Sequence, residues 1–196
     1  MIEKEQVVWQ VAQQMTVNLQ ANNKKLSDIS PEYLAKVAES SGIFAVFYAG
    51  RDLGLGLGRE TAPSIIYVDA ASQIVRHLVD GNTGNTGLRR SLAALLAVKL
   101  DLKAKPRTSD EFDVDRFDNF ALLDNSEGRL TEWMKENLYI GVVAATPDTI
   151  NQLIPAMITI NAPVLNLTNN PNNQYGSEVK RCRKQMTAKA REYFGC

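Results

Sequence analysis

Apolar and polar positions alternate with two different periods along this chain, and the periods divide it into elements. Over residues 3–20, Val7, Val8, Val11, Met15 and Leu19 recur at helical spacing and predict an amphipathic helix, ended by Asn22-Asn23. Ser30-Pro31-Glu32 predicts a second helix start, with Ser30 as N-cap and Pro31 at the first helical position. Leu34, Val37 and Ala38 supply its apolar face, and Ser40-Ser41-Gly42 breaks it. Ile43 to Tyr48 is a compact apolar and aromatic run that reads as a buried strand, and Ser64 to Val68 reads as its antiparallel partner across a long connection.

The period returns to helical from Ala71 to Val79. The Gly81–Gly87 stretch reads as a flexible loop from its Gly, Asn and Thr content. A helix follows from Leu88 to about Lys99, with Leu92, Leu95 and Leu96 inward. Asp110 to Asp118 interleaves Phe112, Val114 and Phe117 with acids and reads as a strand or extended edge. Glu127 to Asn137 is predicted helical around Leu130, Trp133 and Met134. Leu138 to Ala145 is the most strand-like segment. Pro147 to Ile158 is a helix expected to break or kink near Pro155. A polar loop at Asn169–Asn173 precedes a basic helix over 177–193. Together these predict an α+β fold: a small central sheet with an antiparallel hairpin, flanked by helices and preceded by an N-terminal helical extension.

Composition narrows the function classes. The chain has 196 residues, 44% hydrophobic and 22% charged, which suffices for a core without disulfides. Twenty-two basic and 22 acidic residues cancel, so any nucleic-acid contact must come from a local basic face. Cys182 and Cys196 form no metal-binding spacing and read as free thiols. The charged N-terminus lacks a signal-peptide core and no run of about 18 apolar residues occurs, so the expected location is cytoplasmic with no membrane partner.

Gly54, Gly56 and Gly58 invite a phosphate-loop reading, but the run lies between two strands and lacks the Gly-Lys-Ser/Thr ending; a hairpin connection fits better. His77 is the only histidine, so a multi-histidine metal site is excluded. His77 reads either as a semi-buried helix residue or as the one imidazole on which a catalytic group could be built.

Gly42-Ile43-Phe44, Ile66-Tyr67-Val68-Asp69 and Pro163-Val164-Leu165-Asn166, in that order, resemble the motifs of the GIY-YIG nuclease superfamily. The Gly81–Gly84 loop leading into Leu88-Arg89-Arg90-Ser91-Leu92, and Leu130-Thr131-Glu132-Trp133-Met134 before a strand, resemble a bacterial branch of it. The resemblance covers about residues 41–193, giving a GIY-YIG-like domain at 41–196 after an extension at 1–40. Tyr139-Ile140-Gly141 is a chance match to the second motif, too far along the chain.

The resemblance implies Mg²⁺-assisted phosphodiester hydrolysis, with a tyrosine near the base, an arginine on the phosphate and a glutamate on the metal. It also implies where this chain departs. Phe44 replaces the first tyrosine, so a hydroxyl must come from Tyr48 if at all. Asp69 replaces a glycine. Gln73 occupies the arginine position, with Arg76 as substitute, and Ile150 occupies the glutamate position, with Asp148 two residues away. The matching or substitute catalytic positions are Tyr67, Arg76, His77 and Asn166, read as vestigial, with no metal ligand. The expected function is a nuclease-like domain that has lost catalysis, needs no cofactor, and binds nucleic acid or a protein partner, for which residues 1–40 are the natural surface. The alternative is an active Mg²⁺-dependent endonuclease using displaced residues: Tyr48 or Tyr67, Arg76, His77, and Asp148 or Asp69. The densest positive charge, Arg89 and Arg90 with Lys180, Arg181, Arg183 and Lys184 on the last helix, marks the candidate nucleic-acid face. Otherwise these charges form a solvated helix surface.

Overall fold

The structure is a computed structural model and describes residues 2–50, 53–55 and 64–194. Most of the glycine run at 54–58 therefore lies outside the described residues.

Four antiparallel strands form the main sheet in the order β1-β6-β2-β3, with β1 at Lys24–Lys25, β2 at Gly42–Tyr48, β3 at Ser64–Ala70 and β6 at Leu138–Ala144. The expected hairpin and its third strand are in one sheet, as an α+β fold requires. β2 is central and buried on both faces, which is why its sequence is continuously apolar rather than alternating. Its side chains divide by strict alternation. Phe44, Val46 and Tyr48 join one core; Ile43, Ala45 and Phe47 join the other. Gly42 is required by this geometry, because a Cβ there would sit 2.6 Å from the Val143 carbonyl oxygen.

The second core lies under α1 (Ile2–Ala21) and α6 (Pro147–Asn161). The buried face of α1 is Val8, Ala12, Met15 and Leu19. Val7 and Val11, expected inward, are 57% and 40% exposed. The helix is rotated because small residues set the approach: Ala12 is fully buried, and Gly141 of β6 would place a Cβ 2.7 Å from the Leu19 carbonyl oxygen. Thr16 and Asn161 tie the two helices by a 3.1 Å hydrogen bond. α6 runs through Pro155 as one helix. Proline removes the N–H that Asn151 would otherwise bond, and both residues face solvent, where water can satisfy that carbonyl.

The first core is larger. It is closed by α2 (Pro31–Glu39), α3 (Ile74–Leu78), α4 (Gly87–Leu96), α5 (Asp124–Asn137) and α7 (Gly176–Phe194). Ser30 caps α2, accepting from the Tyr33 N–H at 3.2 Å. Two-residue strands β4 (Ala104–Lys105) and β5 (Ala121–Leu122) pair beside it. Between them, Asp110 to Asp118 is a series of turns, not an edge strand. The Asp110 and Asp113 carboxylates accept backbone N–H groups two residues on, and Phe112 and Val114 project outward at 93% and 90% exposure.

The Gly81–Gly87 segment is not the flexible loop its composition predicts. Thr83–Asn85 is a 3₁₀ turn, and Glu127 of α5 accepts both the backbone N–H and the hydroxyl of Thr83 at 2.7 Å. Among the described residues no helix is long and apolar enough to cross a membrane.

Candidate functional site

A β-bulge between Val46 and Phe47 shifts the β2–β3 register, so that Val46 faces Tyr67 while Phe47 faces Ile65. Tyr67, opposite Val46, falls by alternation on the face where Phe44 lies, and the extra residue, Ile66, joins the same core. α3, one turn further, brings His77 to the same place. The result is a three-ring cluster. Tyr67 and His77 centroids are 5.2 Å apart, edge to face, and Phe44 lies 6.3 Å from Tyr67 and 5.9 Å from His77. Phe44 is fully buried there.

Asp69 completes the site. Its Oδ2 accepts the Tyr67 hydroxyl at 3.0 Å and lies 3.1 Å from His77 Nε2, while Oδ1 accepts the Ala70 N–H at 2.8 Å. A carboxylate at Nε2 selects the tautomer that carries its proton there. His77 is buried and its Nδ1 has no hydrogen-bond partner among the described residues. Burial works against the charge on Asp69, but the bonds from His77, Ala70 and Tyr67 outweigh it and hold its pKa below the usual carboxylate value. Burial, reinforced by the Asp69 charge, pushes the Tyr67 phenol well above its ordinary range. Tyr67 is therefore neutral in this arrangement and donates its hydroxyl proton to Asp69.

Arginines surround this cluster. Arg76, exposed on α3, and Arg183, half-buried on α7, both act electrostatically on Tyr67. Arg90 donates from Nη1 to the Gly84 carbonyl at 2.7 Å, and the Arg107 side chain packs over the same glycine. Burial, then the charges of Arg183, Arg107 and Arg76, pull the Arg90 pKa down to about 10, so it stays charged at neutral pH. Arg107 pairs with Asp113. Arg76, Arg90 and Arg183 have no carboxylate within ion-pair distance among the described residues.

The other positions singled out by sequence lie elsewhere. Asn166 is a clamp on the sheet edge: its Oδ1 accepts the Val68 N–H and its Nδ2 donates to the Val68 carbonyl, both at 2.9 Å. Tyr48 packs over Gly50 and 5.7 Å from the Trp133 ring. It stands about 13 Å along β2 from Phe44, by strand rise, so it does not replace the missing hydroxyl. Ile150 packs into the core on the opposite sheet face, and Asp148 is exposed beside it. Arg89 is the clearest correction. It is fully buried, with Nη2 bonded to Glu127 at 2.9 Å and Thr131 at 3.0 Å, and it offers no surface to phosphate. Arg181 is held in two bonds by Glu178 on its own helix, at 2.8 and 2.5 Å. Lys180 and Lys184 are exposed. Asp69, read from the sequence as the replacement of a glycine and as an alternative acid, lies at the centre of this cluster. Arg107, which sequence reasoning missed, lies in a turn segment with no periodic signal.

Comparison with protein families matches the GIY-YIG catalytic domain over residues 58–185. The chain belongs to this family. The matched span holds Tyr67, Asp69, Arg76, His77 and Asn166, and β2 with Phe44 precedes it. In this GIY-YIG chain β3, inside the matched span, pairs with β2, which lies before it. No curated protein and no solved structure matches the chain.

Proposed function

We propose that this GIY-YIG domain binds nucleic acid through the arginine-lined face around Tyr67 and does not cleave it. The observation that carries the reading is the state of the tyrosine site. The phenol of Tyr67 is committed to Asp69 and its deprotonation is opposed by burial and by that carboxylate. Phe44 fills the neighbouring place with a ring that has no proton to move. Asp69, the carboxylate at the centre, has both oxygens engaged by Tyr67, His77 and Ala70. Among the described residues no three His, Cys, Asp or Glu side chains group as a metal site. Mg²⁺ is typically held by one or two carboxylates with water; Asp69 already accepts from Tyr67, His77 and Ala70, and no step through a metal is assigned to it. What remains is positive charge without an acidic partner among the described residues: Arg76, Arg90 and Arg183, extended along α7 by Lys180 and Lys184. Arginine suits phosphate because its planar fork donates two parallel bonds.

The test is binding measured at two salt concentrations. Wild type binds short DNA or RNA at low salt, and each phosphate neutralised adds about 0.9 to the log–log salt slope on duplex DNA. Arg76→Ala and Lys180→Glu/Lys184→Glu each weaken binding and flatten the slope. Binding that is absent at low salt, or indifferent to both variants, removes nucleic acid as the partner and leaves a protein partner as the reading.

A further inference from the structure

We infer that the arginine cluster beside Tyr67 takes a phosphomonoester, the terminal phosphate of a nucleic-acid chain, rather than an internal phosphodiester; the inference rests on the nucleic-acid reading above. Arg90 and Arg107 meet at Gly84, and the charges of Arg76 and Arg183 act on both Arg90 and Tyr67. Two carboxylates are bonded within the cluster itself, Asp69 to Tyr67 and His77, and Asp113 to Arg107. The Arg90 Nε is buried and has no hydrogen-bond partner among the described residues. A phosphomonoester carries a charge of about −1.5 to −2 at neutral pH and three free oxygens. An internal diester carries one charge and offers two. The excess of guanidinium matches the former.

The surroundings block a passing strand. Arg107 also anchors the acidic turns: its N–H donates to the Arg116 carbonyl at 2.8 Å, and its guanidinium grips Asp113. Arg116 and Arg191 lie over the Phe117 ring, 4.8 and 5.3 Å from its centroid. The segment carrying Asp110, Glu111, Asp113, Asp115 and Asp118 is thus fixed beside the cluster. A polyanion running on past Arg107 would cross these carboxylates. A chain that ends at the cluster does not.

The experiment is fluorescence anisotropy with one single-stranded oligonucleotide carrying a hydroxyl or a phosphate at its 5′ end, repeated for the 3′ end. Wild type binds one phosphorylated end about 10-fold more tightly than its hydroxyl form, the increment expected of charge-assisted paired bonds. Arg90→Gln and Arg183→Gln abolish that ratio, whereas Lys180→Glu weakens both forms alike. Arg76→Gln, an exposed change, repeats the test if the half-buried variants do not fold. Equal affinity for phosphate and hydroxyl ends overturns the inference. If no oligonucleotide binds, thermal shift with inorganic phosphate and a nucleoside monophosphate reads the site alone. Stabilisation that is lost in Arg76→Gln supports the phosphomonoester site while removing nucleic acid as its source. No stabilisation overturns both.

Discussion

Glu127 reaches from α5 to hold Arg89 of α4 in a buried ion pair, Nη2 to Oε2 at 2.9 Å, with the arginine fully out of solvent. The same carboxylate accepts Thr83 twice, so one side chain joins two helices and the glycine-rich segment between α3 and α4. Breaking such a pair leaves an uncompensated buried charge. Arg89→Ala or Glu127→Ala is expected to cost about 3–5 kcal/mol in urea unfolding. The paired replacement Arg89→Met with Glu127→Leu should cost much less than the two single losses together. A single-variant loss below about 1 kcal/mol would show the pair to be a surface-like contact.

Asp69 makes stability depend on acid. Its folded pKa is below its unfolded value, so its contribution is present above the unfolded value of about 3.9 and is lost as pH falls through the folded pKa. Urea melts of wild type and Asp69→Asn should therefore differ most at pH 6, with the difference narrowing as the pH falls below about 3.9. A difference unchanged over that range would mean that the folded protein leaves the Asp69 pKa where the unfolded chain has it.

Asn166 stands where a fifth strand would pair with β3, satisfying the N–H and C=O of Val68. Asn166→Ala leaves both groups without that partner and should cost about 1–3 kcal/mol. Hydrogen exchange at the Val68 amide should accelerate selectively. If the amide stays as protected as in wild type, the side chain is not what closes that edge.

The elements with one dominant local signal were legible in the sequence. β2 is continuously apolar, β6 is rich in β-branched residues, and Ser30-Pro31 marks its helix start without tertiary help. Tyr67 and His77 could be singled out from motif order, and the structure sets their rings in contact. Where the reading failed, a distant residue decided. The Gly81–Gly87 segment looks mobile until Glu127, more than forty positions away, bonds to it. Arg89 and Arg90 are adjacent and look alike, yet helix geometry turns one into the core and the other toward Gly84. Phe112 and Val114 alternate like a strand, but the carboxylates beside them close turns on their own backbone. Val7 and Val11 are as apolar as Val8, and only the fit of Ala12 and Gly141 chooses the buried face.

The central claim is binding without cleavage, and one measurement addresses it directly. Purified protein is incubated with labelled DNA and RNA at low salt with Mg²⁺ or Mn²⁺, while binding and product formation are followed in the same samples. The account predicts a retarded complex, weakened by Arg76→Ala, and no cleavage above a metal-only control. Metal-dependent cleavage that disappears in Tyr67→Phe or Arg76→Ala would contradict it and make the tyrosine site an active nuclease centre.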